Sequence, residues 1–231
     1  MNTVNDNLVS YGGSISKIVM AVNGKPDIMP FSVRDYMQRR VDVIGSTFED
    51  LSYNPECRFI NRLLLSSDGV VYSREGRIKI VHGLLQGLTG RDIKNGAFVL
   101  SEEEFKRYNG FEFLWDMRMD YSQLMRIPQE AVENPLLLYL AEDDKSLLED
   151  YVNAILRINP DGAVIRFRFP SSHPKTYCSG RLLMLNPARP IVNSIGKANV
   201  HSASIIADGK MDRTNVVLFA RQKISLEQRV S

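Results

Sequence analysis

Hydrophobic and polar positions divide the chain into short segments whose period switches between helical and strand-like. "ISKIVMAV" (15–22) fits a short helix or a strand. "SVRDYMQRR" (32–40) reads as a helix capped by Ser32, and "VDVIG" (41–45) as a buried strand closed by glycine. Phe59, Ile60, Leu63 and Leu64 give "ECRFINRLLLS" (56–66) helical spacing, and "DG" (68–69) then reads as a turn into a strand, "VVYS" (70–73). "IKIVHGLL" (78–85) is the next predicted strand. "GAFVLSEEEFKRY" (96–108) predicts a strand running into a helix with Ser101 at its N-cap. "FEFLWDMRM" (111–119) alternates, with Phe111, Phe113, Trp115 and Met117 on one face and Glu112, Leu114, Asp116 and Arg118 on the other. "MRIPQEAVENP" (125–135) is a loop or short helix, and "LLLYLA" (136–141) a short apolar segment of either type.

The stretch "SLLEDYVNAILRINPDGAVIRFRFP" (146–170) holds a helix, a turn and a strand. Asp143 or Asp144 caps a helix whose apolar stripe is Leu147, Leu148, Tyr151, Val152, Ile155 and Leu156. "NPDG" suits a type I turn, and "AVIRFRF" (163–169) is a strand that ends with Arg166 and Arg168 on one face. "ANVHSASIIA" (198–207) and "VVLFARQ" (216–222) read as a closing hairpin. Residues 1–14 are polar and glycine-bearing and read as a loose arm, leaving 15–231 as a single domain. Strands alternating with helices predict an α/β fold: a mostly parallel sheet with a C-terminal antiparallel strand pair.

Composition narrows the function classes. The net charge of +2 gives no overall basicity, so an anion site has to be local. Two cysteines and three histidines, without CxxC or HExxH spacing, argue against a zinc centre and suit a reducing compartment. No apolar run is long enough to span a bilayer, and the first residues lack a signal-peptide pattern. A cytoplasmic protein, or part of a particle assembled in cytoplasm, is expected. No G-x-S-x-G elbow supports a hydrolase, and "GLLQGLTG" (83–90) lacks the ending of a phosphate loop. His201 and Trp115 are read as structural.

In an open α/β sheet, ligands bind beyond the carboxyl ends of the strands. That rule gathers Gly45, Ser46, Asp116, Arg118, Arg166 and Arg168 at one crevice, where forked arginines suit phosphate. The order of elements resembles S-adenosylmethionine-dependent methyltransferases, which implies a Rossmann-like methyltransferase fold, and within them viral messenger-RNA cap ribose 2'-O-methyltransferases of poxvirus and double-stranded RNA virus type. "VDVIGS" (41–46) is similar to the cofactor-loop strand, "EFLWDMR" (112–118) to the strand of the catalytic aspartate, "AVIRFRFP" (163–170) to that of the catalytic lysine, and "VHSASIIA" (200–207) to a later strand bearing glutamate.

The resemblance implies S-adenosylmethionine as cofactor and capped RNA as partner, beside other viral replication or capsid proteins. Asp116 matches the catalytic aspartate, Arg166 falls at the central lysine, Ser204 at the glutamate, and Lys17 is placed by its distance before "VDVIGS". Gly45, Ser46, Glu75 and Asp116 would line the cofactor, and Arg118, Arg168 and Lys175 would hold RNA phosphates. Arginine stays protonated and cannot serve as a base, although it can stabilise an alkoxide. Those departures keep a second reading open: a catalytically inactive methyltransferase-like subunit that is structural or binds RNA.

Overall fold

The computed structural model describes residues 7–46, 57–89, 91–94, 96–114, 128–158, 167–168, 177–188, 205–207 and 216–223. Its strands are β1 (Leu8–Gly13), β2 (Ile28–Pro30), β3 (Leu64–Tyr72), β4 (Arg77–Val81), β5 (Ala97–Leu100), β6 (Phe111–Leu114), β7 (Phe167–Arg168), β8 (Cys178–Leu185), β9 (Ile205–Ile206) and β10 (Val216–Gln222). Its helices are α1 (Ile15–Val22), α2 (Val33–Ser46), α3 (Arg58–Asn61), α4 (Glu102–Arg107), α5 (Pro128–Glu133), α6 (Pro135–Leu140) and α7 (Lys145–Ile158), with a 3-10 turn at Leu84–Leu88.

All ten strands join one sheet with the central order β1-β10-β3-β8-β9-β7. Antiparallel pairing dominates: β10 with β1 and β2, β3 with β4 and β8, β4 with β6, and β8 with β5 and β9. Among the described residues only β10–β3 and β7–β9 are parallel. The expected parallel, Rossmann-like sheet is therefore wrong. Hydrophobic period identifies a strand but not the direction of its partner, and the turn from Tyr72 of β3 to Arg77 of β4 is too short for a helical crossover.

Both faces of the sheet are covered, so the central strands are buried on both sides. In β3, Leu64, Val70 and Tyr72 enter one core while Leu65 and Val71 enter the other. β8 divides in the same way, with Leu183 and Leu185 against Leu182 and Met184. The first core is closed by α2, α5, α6 and α7, and the second by α1, the 3-10 turn and Phe105 of α4. Helix α1 forms because Ile15, Ile18, Val19 and Val22 fall on one helical face, all buried. The expected caps hold: Ser101 and Glu104 make a reciprocal capping box at α4, and Asp144 Oδ1 accepts the Leu147 amide at α7.

The sheet forks between β10 and β3. Val217 pairs with Leu64, but further along β10 pairs with β2 instead. Phe31 fills the fork, its amide donating to Phe219 O at 2.9 Å while its carbonyl accepts from Ser67 N at 2.8 Å. Tyr36 of α2 completes the bridge by donating to Leu65 O and accepting from Phe219 N, both at 2.9 Å. Burial holds the Tyr36 phenol far above its ordinary pKa, so it stays neutral and keeps both roles.

Four further expectations change. "VDVIG" is the last part of α2 and not a strand, because Val43 and Ile44 continue the stripe begun by Val33, Tyr36 and Met37. Tertiary packing on that stripe overrides β-branched propensity. "DG" (68–69) lies inside β3, where the register with β8 shifts, and makes no hairpin turn. "IIA" and "VVLFARQ" do not form a hairpin with each other: β9 pairs with β7 and β8, and β10 with β1, β2 and β3. Residues 8–13, read as part of an arm, form β1 against β10.

Gly69 shows why glycine sits mid-strand. A Cβ there would fall 2.5 Å from the Arg181 carbonyl oxygen and closer still to the Leu84 side chain. Gly69→Ala is expected to cost about 1–3 kcal/mol through overpacking. Urea unfolding checks this: the midpoint should fall with little change in slope, and an unmoved midpoint would mean that β3 and the 3-10 turn are not packed this closely.

Candidate functional site

Five strands meet in one transverse row. Val217 of β10 pairs with Leu64 of β3, Leu64 with Leu185 of β8, Leu185 with Ile205 of β9, and Ile205 with Phe167 of β7. Leu64, Leu185, Ile205 and Phe167 are buried in the first core. The row marks the start of β3, β7 and β9, nearly the start of β10, and the end of β8. The chain therefore enters β7, β9 and β10 and leaves β8 along this single rim.

Arg40 of α2 fixes the base of the rim. Its Nε donates to Phe59 O at 3.0 Å, Nη1 to the Tyr151 hydroxyl at 2.9 Å, and Nη2 to Asn186 O at 2.6 Å. The side chain is fully buried. All three of these partners are neutral oxygens, so the guanidinium acts through its fork of donors. It ties α2, α3, α7 and the chain leaving β8 to one point. Beside it, Ala188 N donates to Ile60 O at 2.7 Å.

A second polar centre lies midway along β3. Asp68 is buried and saturated: Oδ2 accepts from Val33 N at 2.7 Å and from the Ser66 hydroxyl at 3.3 Å, and Oδ1 accepts from Gly83 N at 3.1 Å. His82 sets Nδ1 3.3 Å from Asp68 Oδ1 and Nε2 3.0 Å from Tyr139 O, its ring stacked on Tyr139. The Asp68 hydrogen bond raises the His82 pKa against the opposing effect of burial. Both ring nitrogens of His82 are directed at protein oxygens. The Cys178 thiol donates to Glu102 at 3.0 Å, and burial pushes its pKa up, which opposes formation of a nucleophilic thiolate. No group of three or more metal-ligating side chains occurs among the described residues. Two surface hollows of about 330 and 500 Å³ flank Asn23 at the end of α1.

The structure describes Lys17, Gly45, Ser46, Glu75 and Arg168 of the predicted site residues. Lys17 is exposed on α1, and Gly45 is exposed near the end of α2; these helices cover opposite faces of the sheet. Ser46 is the last residue of α2, so no strand-end cofactor loop exists there. Glu75 is exposed in the β3–β4 turn and pairs with Arg77 at 3.3 Å. Arg168 is the second residue of β7. Asp116, Arg118, Arg166, Lys175 and Ser204 lie outside the described residues. The residues following Arg166 and Ser204, Phe167 and Ile205, are paired in the rim row.

No protein-family model matches the chain, and no curated protein does. A solved structure matches, described as the accommodation of massive sequence variation in Nanoarchaeota by the C-type lectin fold. The likeness has a TM-score of 0.60 at 11% identity and covers 96% of this chain and 100% of that one.

The fold is similar to the C-type lectin fold.

That finding overturns the methyltransferase resemblance, and with it both the messenger-RNA cap methyltransferase and its catalytically inactive form. The expectations of S-adenosylmethionine and RNA rested on that resemblance. Among the described residues, no helix is long and apolar enough to cross a membrane.

Sequence reasoning missed Arg40, Asp68 and His82. Arg40 carried a usable signal, since it falls in the middle of the stripe Val33, Tyr36, Met37, Val43, Ile44. A cation on a buried stripe has to be satisfied internally. Asp68 and His82 carried none, because "DG" imitates a hairpin turn. Arg40→Met is expected to cost about 2–4 kcal/mol by leaving two carbonyls and one hydroxyl short of a donor. Tyr151→Phe should cost less, and a double-mutant cycle should show the two changes coupled. A cost within about 0.5 kcal/mol for Arg40→Met, typical of surface substitutions, would remove its anchoring role.

Proposed function

We propose that the chain is a non-catalytic recognition module, a C-type-lectin-fold scaffold whose ligand-facing end is the rim of the five-strand row. The observation that carries this reading is the gathering on one rim of the entries to β7, β9 and β10 and the exit from β8, above a core anchored by Arg40. Binding residues concentrate on connecting segments held by a rigid scaffold. The described polar groups of the core support the same reading. Arg40, Asp68, His82 and Tyr36 all direct their hydrogen bonds inward and serve as fasteners.

The matching protein is described as accommodating massive sequence variation within this fold. For the present chain, the corresponding proposal is that composition at the rim is free to vary while the sheet and its fasteners are not. The connections 159–166, 189–204 and 208–215 are rich in Asn, Ser, Asp, Lys and Arg, residue types suited to surface recognition.

The test is a library in which the polar positions of 189–204 and 208–215 are varied together, displayed on a surface and sorted by a cooperative unfolding transition. Most members should keep a transition within a few degrees of the parent. Members selected against an arbitrary protein or glycan surface should carry their differences in those segments. General collapse of the library would show that these segments are part of the folding core, and would overturn the proposal.

A further inference from the structure

The contacts of His82 assign it a task that recognition at the rim does not use. We propose that His82 is a proton-controlled latch, holding the end of α6 and the corner before α7 to the central strand β3 only while its imidazole carries both protons. The geometry is specific. Nδ1 faces the carboxylate of buried Asp68, on β3, at 3.3 Å. Nε2 faces the Tyr139 carbonyl oxygen, in the last turn of α6, at 3.0 Å. An imidazolium donates to both oxygens, whereas a neutral imidazole has one N–H for two acceptors. The carboxylate is the stronger acceptor, so the remaining proton stays on Nδ1. The Nε2 lone pair then faces the carbonyl oxygen, and the α6 contact turns from attraction to repulsion.

The surroundings decide the direction of the switch. From β3 comes Asp68, whose Oδ1 is shared with Gly83 N and whose Oδ2 is occupied by Val33 N of α2 and by the Ser66 hydroxyl. From the corner comes Glu142, which favours a positive His82. Arg34 of α2 lies 3.9 Å from Glu142 and 3.1 Å from Asp144, tempering that effect. From α6 comes the Tyr139 ring, stacked at 4.4 Å, whose phenol stays neutral because burial raises its pKa. A cation at a helix C-terminus is also favoured. The imidazole is about one-third exposed, so protons reach it without unfolding.

The latched segment is suited to yielding. Glu142 and Asp143 have φ of 55° and 62°, left-handed values that disfavour residues with a Cβ. Tyr139 O also accepts from Glu142 N at 3.0 Å, so releasing His82 weakens one of the fastenings of that turn. The sign follows from the raised pKa. The added stability is fully present below the unfolded histidine value of about 6.5 and is lost as pH rises through the higher folded value.

The experiment uses the whole chain. Imidazole nitrogen and carbon shifts of His82 are followed by NMR from pH 5 to 9, with hydrogen exchange of the Ala141, Glu142 and Asp143 amides measured over the same range. Both ring nitrogens should remain protonated above pH 6.5. The corner amides should gain several-fold in exchange, beyond the intrinsic base-catalysed rise, as His82 loses its proton. In His82→Gln that pH step should vanish. Titration of His82 at or below pH 6.5, or corner opening that does not follow its protonation, would overturn the latch. The wild-type titration decides the matter even if the variant fails to fold.

Discussion

The structure depends on a guanidinium placed where no water reaches it. Arg40 is tolerated in the core because Phe59, Tyr151 and Asn186 each present an oxygen to a different edge of its fork. The requirement is severe, since burying polar groups without partners costs a few kcal/mol each. Satisfying it brings α2, α3, α7 and the end of β8 into a single arrangement. The five-strand row then has a fixed floor, and the chain leaves and re-enters the sheet from defined points along it.

The same economy appears elsewhere. Tyr36 and Phe31 close a fork where β10 leaves β3, turning a gap in the ladder into a set of side-chain and loop hydrogen bonds. Asp68 fastens the start of α2 and the exit of β4 to β3 from within the strand. Each fastener joins elements distant in sequence. Together they hold a sheet whose central strands are buried on both faces. Among the described residues, the interior polar groups Arg40, Tyr36, Asp68 and His82 direct their hydrogen bonds to one another, to Tyr151 and to the backbone.

The methyltransferase resemblance failed for a physical reason. A helix, a proline-glycine turn, a strand and a late strand pair occur in many folds, and period alone does not record which neighbours those strands take. Gly45 shows the consequence: read as the tip of a strand at a cofactor crevice, it lies in a helix because the apolar spacing from Val33 to Ile44 is helical throughout. Lys17 and Gly45, placed together by analogy, sit on helices that cover opposite faces. Asp68–Gly69 has the letters of a turn, yet the glycine is there because Arg181 and Leu84 leave no room for a Cβ.

The amino-acid sequence by itself determined several local units: the amphipathic stripe of α7 and of the first part of α2, the N-cap at Ser101, a cap at Asp143 or Asp144, and the apolar runs of β4, β10 and the second half of β3. These follow from interactions within a few residues, which spacing records directly. Tertiary structure alone decided that β1 closes on β10, that β3 forks from β10, and that Asp68, His82 and Tyr139 meet. Those contacts join residues far apart in the chain. Their selection rests on the simultaneous satisfaction of buried polar groups, a condition that no single segment contains.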